Sequence, residues 1–302
     1  MNDKIKDKIE ELKTLYITND IQKIYDDVYT INTDAGVCDN DFIFYIVNEN
    51  GRLWYDLPQC EKDKKQTYYN QEIIFTLLFT LSKDKSIINY ILENANDFDG
   101  KIIDLFKKQR FNFEKNKKIL DLGAHQGFYA LNFSKFFNEV ICVEPFVQNY
   151  LTIELNVLAN DIKNIKVIPS FISNEHKIGK FSQSEQKFIN VENYPYECII
   201  QKSSTLDDFA YFNPDVIKMD IEGEELSAFQ SAEKILGSNP SLIIELHKEL
   251  DSESKFDYNI IKKNVNINKY IAIGIKHKTN IPFMINEEYD LNLIKYLFLI
   301  KN

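Results

Sequence analysis

The sequence predicts an α/β domain over residues 113–302, a mostly parallel sheet with helices on both faces, behind a mainly helical accessory region at residues 1–112. Three observations carry this. Residues 117–129, KKILDLGAHQGFY, run a strand, a glycine-bearing turn and a helix start in immediate succession. From there apolar runs of strand length alternate with segments of helical periodicity, the pattern of βαβ units. The 302 residues are 44% hydrophobic and 13% aromatic, enough to bury a sizeable core.

In the accessory region Ile5, Ile9, Leu12 and Tyr16 recur at helical spacing, and Ile21, Ile24, Tyr25 and Val28 mark a second helix. Residues 39–57 place FIFYIV and RLWYDL around Asn50-Gly51, a hairpin signal. Residues 71–81 and 87–92 return to helix. The region reads either as a packing appendage through which copies of the chain associate, or as a lid that helps choose a substrate.

After the turn, Phe128, Leu131, Phe133 and Phe136 supply the apolar face of the next helix. Residues 139–144 form a β-branched strand ending in Glu144, and Val147, Leu151, Leu155 and Leu158 continue as helix. Further strands are expected at 164–171, 215–219 and 241–246, with 270–275 and 297–300 as a closing pair. Leu226, Phe229 and Leu236 make a helical stripe with Gly237 as its C-cap.

The net charge of −10 argues against nucleic acid as the main partner, because phosphate contacts need clustered Lys and Arg. Lys115, Lys117 and Lys118 read as a solvated face. No apolar run approaches the ~20 residues of a membrane helix, and the charged, mixed-sign amino terminus is neither signal nor transit peptide. Cys38, Cys60, Cys142 and Cys198 contain no C-x-x-C pair, so a cytoplasmic protein with reduced thiols is expected.

The first turn reads Asp121-Leu122-Gly123-Ala124-His125-Gln126-Gly127. A dinucleotide site would want a third glycine and no leading carboxylate, since a pyrophosphate is repelled by one. S-adenosylmethionine, with a sulfonium and an ammonium and no phosphate, suits Asp121 better. A plain structural turn also satisfies the pattern. Glu144, about 20 residues on, is placed to accept hydrogen bonds from ribose hydroxyls, a position that fits NAD equally well.

Two later runs carry polar groups at strand ends. In VIKMDIEGEE, Lys218 and Asp220 share a strand face and Gly223 allows a close turn; in LIIELH, Glu245 and His247 are again two apart. If the two strands are neighbours, these groups converge at one sheet edge. Asp220, Glu222, Glu245 and His247 are candidate catalytic residues, able to remove a hydroxyl proton or to hold a metal that acidifies it. Asp220, Glu245 and His247 would suit a hard ion such as Mg²⁺ or Mn²⁺, although no H-x-x-x-H spacing marks a metal site. Lys218 reads as the salt-bridge partner of this cluster. His125 faces an acceptor pocket or is satisfied by backbone; His176 and His277 read as surface loops.

ILDLGAHQGFYAL, VICVEPF, SSTLDDF and PDVIKMDIEGEEL followed by LIIELH resemble the FkbM-type S-adenosylmethionine-dependent methyltransferases over about residues 117–302. IKMDIEGEE preceded by TLDDF is the specific part. His125 stands where that family commonly has Asn. The resemblance implies a class I, Rossmann-like sheet of seven strands, the last antiparallel, and O-methylation of sugars or other hydroxylated metabolites. It implies cofactor contacts from Asp121, Gly123, Ala124, His125, Gly127 and Phe128, ribose contacts at Glu144 and Pro145, and adenine contacts at Ser170 and Phe171. Asp220 would lie near the transferred methyl, and Glu72 would belong to a helix closing over the cofactor. The acceptor expected from it is a sugar, nucleotide-activated or bound for a surface glycan. A nucleic-acid methylase is disfavoured because Asn213-Pro214 is followed by Asp215-Val216, not by the rest of an N-P-P-Y block.

Overall fold

The computed structural model describes residues 117–134, 136–182, 187–189, 198–247, 261, 263–276, 282–285 and 294–301. The accessory helices, the 39–57 hairpin, Glu72 and His277 lie outside them. Strand β1 (Lys118–Leu122) has four buried residues in succession, as befits a strand covered on both faces. It is followed by helix α1 (Phe128–Phe133), β2 (Glu139–Val143), α2 (Val147–Ala159) and β3 (Ile165–Ile168). Phe136 falls beyond the end of α1, while Phe133 and Phe137 pack edge to face with centroids 5.7 Å apart.

The strand expected at 164–171 is broken. Pro169 has no N–H to donate, and the chain leaves the main sheet there. It re-forms as β4 (Phe171–Ile172) in a second, four-stranded sheet with β5 (Ile178–Ser182), β6 (Lys187–Ile189) and β7 (Cys198–Ser204), ordered β4-β7-β5-β6.

The TLDDF run then forms a 3₁₀ helix (Leu206–Phe212) in which Thr205 and Asp208 make a capping box, the Thr205 N–H donating to Asp208 Oδ2 at 2.8 Å. After β8 (Val216–Met219) the expected single helix is two short ones, α3 (Glu225–Gln230) and α4 (Glu233–Gly237). Asp207 Oδ1 accepts the N–H groups of Lys234 and Ile235 at 2.8 and 3.0 Å, so this aspartate of the 3₁₀ helix caps α4 from outside. Gly237 is the last residue of α4 and not its cap; the left-handed residue is Asn239, with φ 54°.

Strands β9 (Ser241–Glu245), β10 (Tyr270–Lys276), β11 (Pro282–Met284) and β12 (Ile294–Lys301) complete an eight-stranded sheet, ordered β11-β10-β12-β9-β8-β1-β2-β3. This is one strand more than the expected seven; the addition is β11, which pairs antiparallel with β10 at the edge. The five strands from β3 to β9 run parallel, and β12 is inserted antiparallel between β9 and β10. Strand order reverses between β1 and β8, and ligands bind in such sheets at the crevice beyond those carboxyl ends. Leu120, Leu122, Ile217, Met219, Leu242 and Ile244 build the core with Phe209, Phe212, Phe229 and Ile235. Ile119, Asp121 and Lys218 belong to the alternate positions, with Asp121 in register opposite both Lys218 and Cys142. Among the described residues no helix is long and apolar enough to cross a membrane.

Candidate functional site

The crevice is built from two turns that interlock. Gly123 and Gly127 take φ of 72° and 85°, and the intervening His125 takes 50°, a left-handed backbone for which Gly is favoured and Asn or His tolerated. The Gly123 and Ala124 N–H groups donate to Val143 O at 2.9 and 3.2 Å, and Gly127 N–H closes the turn on Ala124 O at 2.9 Å. A Cβ at Gly127 would meet Ile153 Cγ1 at 2.7 Å, so the turn lies directly on α2. Phe128 opens α1.

Asp121 is fully buried at the end of β1, and neither carboxylate oxygen has a hydrogen-bond partner among the described residues. Lys218 Nζ stands 3.4 Å from Asp121 Oδ1 and 3.5 Å from Asp220 Oδ2, and lies 4.8 Å from the Tyr129 ring centroid. Burial pushes the Asp121 carboxyl up, and the lysine only partly offsets this. Burial alone would lower the Lys218 pKa, yet Asp121, Asp220 and Glu245 together raise it, so the ammonium is firmly charged.

Glu144 is buried at the end of β2. Its Oε2 accepts the His125 N–H at 2.8 Å, and its Oε1 accepts the Phe146 N–H at 2.9 Å and Asn149 Nδ2 at 3.2 Å. A carboxylate has about four acceptor positions, so three donors leave one. Burial lifts its pKa to about 7 despite these bonds. The Pro145 carbonyl accepts Gln201 Nε2 at 3.3 Å. Ser170 and Phe171 are both 4% exposed; the Ser170 hydroxyl is engaged with Lys202 O at 2.9 Å and Ser204 Oγ at 2.8 Å, tying the Pro169 bend to β7.

β8 and β9 are parallel neighbours, so their strand ends do meet. His247 Nε2 lies 3.7 Å from Asp220 Oδ1 and 3.5 Å from Glu222 Oε2, while Nδ1 lies 2.9 Å from Glu225 Oε1. Donor atoms of Asp220, Glu222 and His247 fall within 4.8 Å of one another. The metal-ligand set expected from the sequence has Glu245 where this grouping has Glu222; Glu245 Oε1 stands 3.5 Å from Lys295 Nζ and remains within reach of the Asp220 and His247 charges. Glu222 reaches the cluster because its backbone is left-handed, φ 52°, ahead of Gly223 at 101°.

Burial would lower the His247 pKa, but the Glu225 hydrogen bond and the charges of Glu225, Glu222 and Asp220 raise it to about 9. Burial, then the Asp220 charge, lifts Glu245 to about 7, and burial also raises Glu222. Glu225, only 3% exposed at the start of α3, is the site residue that sequence reasoning missed.

The FkbM methyltransferase domain matches residues 121–272, half of the chain. No curated protein matches it significantly. Among solved structures, the chain is similar to a precorrin-6y C5,15-methyltransferase from Geobacter metallireducens, with 11% identity, 72% of this chain and 87% of that one covered, and a TM-score of 0.32. WbdD is similar at 12% identity over 67% of this chain and 41% of its own, with a TM-score of 0.37. An MtNAS variant in complex with S-adenosylmethionine gives 9% identity, 80% and 77% coverage, and a TM-score of 0.36. At such low overlap the fold is defined by strand order and register, and the family by the domain match. On that match, which takes in the glycine turn, Glu144, TLDDF and IKMDIEGEE, the chain belongs to the FkbM methyltransferase-domain family of S-adenosylmethionine-dependent enzymes.

Proposed function

We propose that this chain is an O-methyltransferase acting on a hydroxyl of a sugar, nucleotide-activated or destined for a surface glycan. The observation that carries the reading is the Asp121 carboxylate: it is buried beside a close glycine turn, with no hydrogen-bond donor to either oxygen among the described residues and only the Lys218 ammonium, 3.4 Å from Oδ1, as counter-charge. A buried carboxylate held by one long ion pair keeps acceptor capacity that a cationic ligand donor would satisfy. The cationic ammonium of S-adenosylmethionine is such a donor, whereas a pyrophosphate would be repelled.

Asp121 would hold the methionine end and the remaining acceptor position of Glu144 a ribose hydroxyl, with Gly123, Ala124 and Gly127 keeping side chains out of the way. Lys218 fixes the spacing of Asp121 and Asp220 and limits their mutual repulsion. When bound, the cofactor supplies a methyl carbon on a sulfonium sulfur, electrophilic enough to be taken by an oxygen nucleophile. An alcohol becomes that nucleophile as its O–H bond breaks, and a positioned base contributes ~10²–10⁴-fold. With His247 raised to about 9 and so cationic at neutral pH, the proton is taken by a carboxylate oxygen of Asp220 or Glu222. These acceptor-only groups also suit the hydrogen-bond donors of vicinal sugar hydroxyls.

Calorimetry with S-adenosylmethionine on wild type, Asp121→Ala and Glu144→Ala tests the donor site, with weaker binding expected in both variants; undiminished affinity in both refutes it. Incubation with a panel of nucleotide sugars, read as S-adenosylhomocysteine released, tests the acceptor. Binding without release across the panel points instead to another hydroxylated metabolite or to a non-catalytic cofactor-binding protein.

A further inference from the structure

We infer that Glu225 is a positioning residue that holds the His247 ring by Nδ1, so that Nε2 is the atom presented to Asp220 and Glu222. Its consequence for catalysis rests on the function proposed above, but its geometry does not. Glu222 and Gly223, with φ of 52° and 101°, reverse the chain after β8 and bring Glu225 inward as the first residue of α3. The carboxylate ends 3% exposed, with Oε1 accepting the Gly223 N–H at 3.4 Å and lying 2.9 Å from His247 Nδ1. At 3.4 Å the backbone contact is weak, so the ring N–H is the strong donor to this buried carboxylate.

The two faces of the imidazole are therefore unequal. Nδ1 sits at full hydrogen-bond distance from a buried carboxylate, whereas Nε2 looks across 3.5 and 3.7 Å to two more exposed ones. When the ring holds a single proton, that proton stays on Nδ1, because leaving Glu225 without its donor costs more than releasing a longer contact. Proton exchange is then confined to Nε2, on the side where Asp220 and Glu222 would take the acceptor's proton. The same carboxylate–histidine arrangement fixes ring tautomers elsewhere in proteins. A purely structural Glu225 would brace the Gly223 turn and leave the ring free to choose.

The test is the tautomer of His247 in the full-length ¹⁵N-labelled chain, read from two-bond imidazole ¹H–¹⁵N spectra at a pH where the ring is neutral, without cofactor or acceptor. Four histidines are present; loss of one set of signals in His247→Gln makes the assignment, and His176, whose Nε2 lies 2.8 Å from Asp208 Oδ2, provides a comparison ring with its proton held on the opposite nitrogen. Wild type and Glu225→Gln, whose amide carbonyl still accepts, are expected in the Nδ1–H form. Glu225→Leu is expected to go over to the Nε2–H form that free histidine prefers. An Nε2–H ring in wild type overturns the inference, as does a wild-type pattern in a folded Glu225→Leu protein. Should the leucine variant not fold, the wild-type tautomer and its retention in Glu225→Gln decide. Because no ligand takes part, failure here is separate from failure to bind S-adenosylmethionine.

Discussion

A side chain at Gly123 would place its Cβ 1.8 Å from the carbonyl oxygen of Asp220, so the turn after β1 and the turn after β8 fit against each other with no room for a methyl group. The neighbouring hydrogen bond, Asp220 N–H to Leu122 O at 3.1 Å, holds the same pair of loops together. Gly123→Ala adds a left-handed backbone penalty to a clash with rigid main chain, and a destabilisation of about 3 kcal/mol or more is expected. Urea unfolding checks it, and a midpoint unchanged from wild type would mean that the turns part freely.

Glu222 is a non-glycine residue held at φ 52° whose side chain reaches His247. Strain of this kind persists where a function requires it. Glu222→Gly is expected to stabilise the fold by roughly 0.5–1 kcal/mol while reducing methyl transfer to the best nucleotide-sugar acceptor. Paired urea midpoints and S-adenosylhomocysteine assays on the variant measure both directions at once.

Stability is expected to fall as pH rises. His247 is raised from 6.5 to about 9, so the folded chain keeps a proton that the unfolded chain releases. Its contribution is complete below pH 6.5, is lost as pH rises through 9, and is on the order of 2 kcal/mol. Glu144 and Glu245, each raised from 4.5 to about 7 by burial, act in the same direction at lower pH, because ionising them inside the fold is costly. Melting temperatures taken from pH 6.5 to 9 should decline steeply for wild type and less for His247→Gln; parallel profiles would contradict the assignment.

A divalent ion at Asp220, Glu222 and His247 would have to displace the Nε2 proton of a ring that the three neighbouring carboxylates hold cationic. Treatment with EDTA is therefore expected to leave cofactor affinity and transfer rate within about twofold of untreated protein. A larger loss restored by Mg²⁺ or Mn²⁺ would reassign these side chains as ligands of the metal.

The parts of the fold that were legible in the sequence are those where pattern and burial agree. β1 and β8 are each buried at four successive positions because they lie at the sheet's centre, and Asp121 stands next to last in one of them, two residues before a glycine that geometry demands. The small sheet escaped notice because Ile178 and Ile200 are each 71% exposed, so apolar residues on β5 and β7 do not report an inside face. Glu245 was grouped with His247 by strand alternation, but β9 ends at Glu245 and the Leu246 N–H bonds Lys295 O, so the period of two stops one residue too early. Glu225 was invisible next to Glu224, since only the reversal at Gly223 determines which of two adjacent glutamates is turned inward.

The bend at Pro169 has a practical corollary for redesign. The four-stranded sheet departs from the principal sheet there and the chain returns through the 3₁₀ segment before β8, so β5 and β6 share no ladder with β1, β2 or β8. A reporter segment inserted between β5 and β6 is therefore expected to leave the register of those three central strands unchanged.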